Sequence, residues 1–84
     1  MKTRAFSGVE LSHRVELSGD RITVVGGKKV LIEGNRGILE CSDCRIIVST
    51  PGGRLIVTGA GLSIDAMTGE ELLIQGRICS VEWE

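Results

Sequence analysis

From residue 21 to the end, the chain alternates between short apolar runs and glycine-rich breaks. Each run has four to six residues, which is the usual length of a β-strand and too short for a stable helix. The breaks leave no room for a crossover helix, so neighbouring strands should pair antiparallel. The predicted strands are residues 22–25, 29–33, 38–41, 45–49, 54–58, 62–67, 72–75 and 78–83.

These strands predict an all-β domain. Val and Ile together number 17 against three Ala, a composition that favours strands. With 84 residues the chain has material for one small core. We predict a small antiparallel β-sandwich of about eight short strands joined by tight glycine-rich turns, with a small β-barrel as the alternative.

The first residues follow a weaker pattern. A short strand is predicted at residues 14–18, and residues 1–13 are expected to be loosely ordered. A short amphipathic helix over residues 3–12 is an alternative, although Gly8 disfavours it. The predicted domain therefore spans residues 14–84.

Apolar side chains lie on both faces of several predicted strands. A sheet with one buried face and one solvated face would have them on the buried face only. We assign one face to the core, with Val30, Ile32, Ile46, Val48, Leu55, Val57, Leu72 and Ile74. The opposite face carries a second apolar set, Leu31, Leu39, Ile47, Ile56 and Leu73. Three interpretations of this set stay open: scattered surface residues, residues covered by a second layer, or a patch that binds a second copy or another protein.

Charge and hydropathy exclude several classes of partner. Ten basic and eleven acidic residues give a net charge of −1, which argues against nucleic acid and against a polybasic membrane anchor. No apolar run reaches the roughly 18 residues that cross a membrane. The first residues lack the apolar segment of a signal peptide, so a cytoplasmic protein is expected.

A CxxC motif spans residues 41–44, and Cys79 is the third cysteine. An odd number of cysteines is typical of a reducing compartment. Zinc or thiol exchange through Cys41, Cys44 and Cys79 is an alternative function, with His13 as a further ligand. The predicted position of the motif on a hairpin turn favours a structural role instead, with Cys41 and Cys79 half-buried. One His and no Tyr supply little acid–base chemistry, so neither an enzyme nor a cofactor is predicted.

Two loops are rich in charged residues. Residues 26–29 read Gly-Gly-Lys-Lys, but a phosphate-binding loop needs a helix directly afterwards, and none is predicted. We expect a solvated hairpin end there. Residues 35–37, between Glu33 and Glu40, predict a turn with a surface ion pair to Arg36.

The order of the motifs resembles that of a known family. Residues 21–26 (RITVVG) and 30–39 (VLIEGNRGIL) resemble the opening of the YabP/YqfC family of sporulation proteins, and the YqfC branch most. The similarity continues through residues 46–50, 53–59, 62–64, 71–78 and 81–83. The chain departs from the family pattern at residues 34–35, where the family has Asn-His, and at Cys41, where it often has an aromatic residue.

The resemblance implies a non-enzymatic protein of the mother cell of a spore-forming bacterium. It would act during forespore maturation, in cortex or coat assembly, as a small β-sandwich that binds a membrane-associated sporulation protein at the forespore surface. The alternatives are a generic self-associating cytoplasmic β protein and the metal or redox protein considered above.

Overall fold

All secondary structure in the described residues is β-strand. The structure, a computed structural model, describes residues 5–7, 13–17 and 20–84, with side chains from residue 21 onward. The strands pair antiparallel throughout, which confirms the predicted all-β class. They are β1 (Ala5–Ser7), β2 (His13–Leu17), β3 (Asp20–Val25), β4 (Lys29–Glu33), β5 (Gly37–Cys41), β6 (Arg45–Thr50), β7 (Gly53–Thr68) and β8 (Glu71–Trp83).

The strands form one continuous sheet in the order β2-β3-β4-β8-β7-β6-β5, with β1 added beside β8. Among the described strands, β2 and β5 end the path without pairing to each other, so the sheet is open and the barrel alternative is not what forms. The four predicted strands after residue 53 are joined in pairs. Residues 54–58 and 62–67 lie in the single strand β7, and residues 72–75 and 78–83 lie in β8.

Both long strands bend in the middle. Sixteen residues of β7 would span about 53 Å if straight, whereas the longest dimension of the molecule is 26 Å. The β7–β8 register shifts between Thr58 and Gly59 and again between Ala60 and Ser63. Such bulges add residues to one strand and turn its direction.

The bends fold the sheet into two layers. The first layer contains β2, β3, β4, residues 71–75 of β8 and residues 62–68 of β7. The second layer contains β5, β6, residues 53–58 of β7, residues 77–83 of β8 and β1. The fold therefore has the two packed layers of a sandwich, made from one sheet that continues through both.

The core lies between the layers. All eight residues assigned to the core from the sequence are 0% exposed, so that prediction is confirmed. Side chains from both layers form one cluster, which also includes Ile22, Val24, Leu62, Ile78, Val81 and Trp83. Burial of this apolar surface is the main force that holds the layers together.

A hairpin tip packs against each bend. The β5–β6 tip contacts the bend of β7, where Gly59 N donates to Cys44 O at 3.0 Å and Leu62 N donates to Asp43 O at 2.7 Å. The β3–β4 tip contacts the bend of β8 in the same way. There, Gly76 N donates to Lys28 O at 3.1 Å, and the amide of Ile78 donates to the carbonyl of Gly27 at 2.8 Å. These bonds satisfy backbone groups that the bulges would otherwise leave unpaired.

The two bends bring β7 and β8 so close that glycine is required on each. A Cβ on Gly59 would lie 1.9 Å from the carbonyl oxygen of Arg77, far inside contact distance. A Cβ on Gly76 would lie 2.7 Å from the carbonyl oxygen of Gly61, and Gly76 has a φ of +138°. Both glycines were predicted to be turns between separate strands, whereas they lie where continuous strands cross from one layer to the other.

The linker from β4 to β5 connects the first layer to the second. It is anchored by Asn35, which is 6% exposed. Its Nδ2 donates to Glu70 O at 2.6 Å, and its Oδ1 accepts the amide of Gly37 at 3.2 Å. The amide of Arg36 donates to Ser49 O at 2.7 Å. The linker is thus held to both the β7–β8 turn and β6.

The described part of the first 13 residues includes a strand. Ala5–Ser7 pairs with residues 80–82 of β8, so a helix over residues 3–12 is wrong at these positions. The predicted strand at residues 14–18 corresponds to β2. Residues 1–4 and 8–12 lie outside the described residues, and the domain boundary at residue 14 stays a prediction.

Candidate functional site

The five residues proposed for partner binding lie on the outer faces of the sheet and are divided between the two layers. Leu31 and Leu73 are cross-strand partners in the first layer. Ile47 and Ile56 are partners in the second layer, and Leu39 lies beside them on β5. Because the layers pack through their inner faces, these outer faces point away from each other. The five residues therefore form two separate surfaces.

The larger surface is a row of three residues on neighbouring strands, Leu39, Ile47 and Ile56, which we call the outer row. Leu39 lies at a bulge where the β5–β6 register shifts, and it is 57% exposed. Ile56 is half-buried and Ile47 is 8% exposed. Ile38, next to Leu39, packs against the core, which places Leu39 on the opposite side of β5.

Ion pairs border the outer row on both sides. Glu40 and Arg45 lie 3.6 Å apart at one end of the strands. At the other end, Arg54 pairs with Glu84. Both pairs are substantially exposed, so each contributes little to stability. Each leaves a positive and a negative group available at the edge of the apolar row.

The smaller surface is the Leu31–Leu73 pair. Both residues are half-buried, and they line an open pocket of about 190 Å³ together with Ala66, Thr68, Glu71 and Leu72. Glu33, next in the outer face of β4, pairs with Arg21 at 3.6 Å. Of the five residues proposed from the sequence, this surface therefore has two and the outer row has three.

The CxxC motif lies on the hairpin between β5 and β6, as predicted. Cys41 ends β5, and the turn is closed by Ser42, whose amide donates to Arg45 O at 2.9 Å. The Ser42 hydroxyl donates to the same carbonyl at 3.1 Å and accepts the amide of Arg45 at 3.1 Å. Ser42 Oγ also lies 3.6 Å from Cys44 Sγ, a weak contact beside the two bonds to Arg45. The turn is therefore closed mainly by Ser42.

The three cysteines are all exposed, so the expectation that Cys41 and Cys79 are half-buried is wrong. Cys79 lies on β8 between the residues that pair with Thr58 and Gly59, where the strand carries one extra residue. Among the described residues, no three His, Cys, Asp or Glu side chains are placed to hold a metal ion. The side chain of His13 lies outside the described residues.

The charged loop at residues 35–37 is arranged differently from the prediction. Glu33 and Glu40 pair with Arg21 and Arg45, not with Arg36. Asn35 is buried, although its neighbours predict a surface turn. The pattern Gly-Asn before a glycine shows the turn, but the carbonyl that Asn35 binds comes from Glu70, which no local pattern identifies.

The fold and these surfaces define a small antiparallel β protein with an apolar outer row between ion pairs. The YabP family profile matches residues 16–84. "Uncharacterized protein YqfC" of Bacillus subtilis (strain 168) is 31% identical over 83 residues, which covers 99% of this chain and 89% of the relative. No solved structure shows significant similarity to the chain. The chain belongs to the YabP family.

Family membership confirms the resemblance found in the sequence. It also supports the coarser part of the functional expectation, an association with sporulation. In the part of the chain that the structure describes, no helix is long and apolar enough to cross a membrane.

Proposed function

We propose that this chain is a non-enzymatic sporulation protein that acts as a binding scaffold in forespore maturation, in cortex or coat assembly. It works in the mother cell and reaches the forespore surface by docking a membrane-associated sporulation protein. The outer row is the docking surface. The observation that carries this proposal is the placement of Leu39, Ile47 and Ile56 side by side on three neighbouring strands.

The outer row supports docking for three reasons. Leu39 exposes more than half of its surface at the end strand of the sheet path, where a partner can approach without displacing another strand. Ile47 and Ile56 extend the apolar contact inward from Leu39. The bordering Glu40–Arg45 and Arg54–Glu84 pairs offer groups of both signs, which orient a partner of complementary charge.

The test compares the two outer faces in cells. Leu39→Lys with Ile56→Lys places charges in the outer row, and Leu31→Lys with Leu73→Lys places the same charges on the opposite face. Deletion of the gene should lower the yield of heat-resistant spores. We expect the opposite-face variant to restore the yield and the outer-row variant to fail. Normal spore yield after deletion, or full rescue by a folded outer-row variant, would contradict the proposal.

A biochemical arm identifies the partner. The tagged chain is incubated with detergent-solubilised membranes from sporulating cells, and captured proteins are identified by mass spectrometry. A membrane protein should be captured by the wild type and the opposite-face variant but lost with the outer-row variant. Equal capture by both variants would remove the outer row from the interface.

Self-association is the second candidate, because the same row could pair with its copy in a second chain. Light scattering of the purified protein distinguishes self-association from docking onto a different protein. A monomer agrees with docking onto a different protein. A dimer that Leu39→Lys with Ile56→Lys converts to a monomer assigns the row to self-association instead.

A further inference from the structure

Away from the outer row, the β3–β4 hairpin tip and the bend of β8 border an open surface pocket of about 440 Å³. Lys29 is the cross-strand partner of Gln75, and the carbonyl of Lys28 accepts the amide of Gly76 at 3.1 Å. Arg77 is the next residue of β8 and lines the same pocket. Main-chain pairing therefore places the backbone of the two lysines near Arg77, which is distant in sequence, and the three side chains are exposed.

The pocket concentrates positive charge. Lys28, Lys29 and Arg77 are three of the ten basic residues in a chain whose net charge is −1. Within the part of the chain that the structure describes, no carboxylate lines the pocket. Among the described residues, the ion pairs belong to Arg21, Arg45 and Arg54, and none of the three lining cations has a carboxylate partner.

The carboxylate of Asp65 lies near the pocket without lining it. Asp65 accepts a hydrogen bond from Gln75 Nε2 at 2.9 Å, and this bond holds the Gln75 side chain toward β7. Asp65 therefore offsets part of the charge and leaves a positive excess. Three neighbouring cations that have no carboxylate partner among the described side chains repel one another, and an anion in the pocket relieves that repulsion.

We propose that this pocket binds a phosphate group. A phosphate has several oxygens that accept hydrogen bonds together, and Arg77 presents a planar fork that can hold two of them. Lys28 and Lys29 supply ammonium groups for the remaining oxygens. The volume leaves room for the group to which the phosphate is attached. Recognition uses side-chain charge and not a helix N-terminus, since a strand follows the glycines of this tip.

The phosphate can belong to a soluble ester or to a lipid headgroup, and both share this chemistry. The first experiment titrates inorganic phosphate into the ¹⁵N-labelled full-length chain and follows amide chemical shifts, with sodium chloride at matched ionic strength as reference. Phosphate should shift the amides of residues 27–29 and 75–77, and chloride should not. Absence of phosphate-specific shifts at these amides would overturn the proposal.

A charge-matched pair of variants assigns the binding to the pocket. Neutralising the pocket should weaken phosphate binding about tenfold or more, because charge-assisted hydrogen bonds are lost. The pocket variant is Lys28→Gln with Lys29→Gln and Arg77→Gln. The control removes equal charge elsewhere: Arg36→Gln with Arg45→Gln and Arg54→Gln. Equal binding by both triple variants would show nonspecific attraction and overturn the site. If the pocket triple unfolds, Arg77→Gln alone replaces it with the same expectation.

Vesicles separate the two sources of phosphate. Sedimentation with phosphatidylglycerol vesicles, but not with phosphatidylcholine vesicles, identifies a lipid headgroup if the pocket variant loses it and the control keeps it. Phosphate-specific shifts without sedimentation identify a soluble ester. A poly-glutamate peptide serves as the competing class. Saturation of the pocket amides by this peptide, with no response to phosphate or to either vesicle, would replace the phosphate ligand with an acidic polypeptide.

Discussion

At the bend of β7, a hairpin tip lies against the strand through the carbonyls of Asp43 and Cys44. At the bend of β8, a second tip does the same through Gly27 and Lys28. The two regions share their main-chain plan: a bulged strand, a glycine at the crossing and a tip that accepts two amides. They differ in how each tip is closed, and that difference decides which side chains are available for binding.

The β5–β6 tip uses side chains for its own structure. Ser42 closes the turn with its hydroxyl, and Arg45 pairs with Glu40. The β3–β4 tip is closed by main chain alone, with Lys28 N donating to Val25 O at 3.0 Å. Gly26 and Gly27 supply the positive φ angles of 57° and 65° that this turn needs. The side chains of Lys28 and Lys29 therefore take no part in closing this turn. They are available to line the charged pocket with Arg77.

The largest expected effect is at the crossing of the β7 bend. Gly59→Ala would place a Cβ 1.9 Å from the carbonyl oxygen of Arg77, and main chain cannot yield as a flexible side chain does. We expect the free energy of unfolding to fall by about 4 kcal/mol, or the protein to fail to fold. Denaturant unfolding followed by the fluorescence of Trp83, the single tryptophan, measures it. A loss below about 1 kcal/mol would mean that the strands do not approach so closely.

The second effect tests whether the β8 bend is equally tight. In Gly76→Ala the added Cβ would lie 2.7 Å from the carbonyl oxygen of Gly61, and the residue would keep a φ of +138°. We therefore expect the free energy of unfolding to fall by about 3 kcal/mol. Gly26→Ala is the matched control, because it has a positive φ but nothing within 4 Å of the added Cβ. The control substitution should lower the free energy of unfolding by about 1–2 kcal/mol. Equal losses at both positions would show that φ alone, and not the close approach, demands glycine.

The third effect separates the two tips. Ser42→Ala removes both hydrogen bonds of the hydroxyl to Arg45 and should lower the free energy of unfolding by about 1 kcal/mol. Lys28→Ala should change it by less than about 0.5 kcal/mol, because the β3–β4 turn bonds through main chain. Parallel urea titrations of the two variants check this difference. A larger loss from Lys28→Ala would reverse the distinction drawn between the tips.

The smallest effect concerns the cysteines of the β5–β6 tip. Cys41→Ser with Cys44→Ser should change stability by less than about 0.5 kcal/mol, since both side chains are exposed and Ser42 closes the turn. Protein purified without added metal should contain no stoichiometric zinc, as mass spectrometry under native conditions can show. Zinc that is bound by the wild type and lost in the double variant would restore the metal alternative.

The sequence predicted the core better than the site. Alternation within residues 30–32, 46–48, 55–57 and 72–74 is a local property, because adjacent side chains on a strand point to opposite faces. It selected eight core residues that are all fully buried. The same rule placed the opposite set on the other side of these strands, where Ile47 is nevertheless 8% exposed. It could not show that Leu31 and Leu73 lie on a different layer from Ile47 and Ile56, because strand alternation carries no information about layers.

The sequence by itself determined the all-β class, the approximate strand positions, the inward side of β4, β6, β7 and β8 and the CxxC turn, because these depend on residues close together along the chain. Only the tertiary structure decided that Gly59 and Gly76 lie at bends rather than at turns. A glycine permits either conformation, and the choice depends on which strand pairs beyond it. The structure likewise placed Arg77 beside Lys28 and Lys29 and gave Asn35 its partner at Glu70. These contacts join residues far apart in sequence, and they form only when the two layers pack on a shared apolar core.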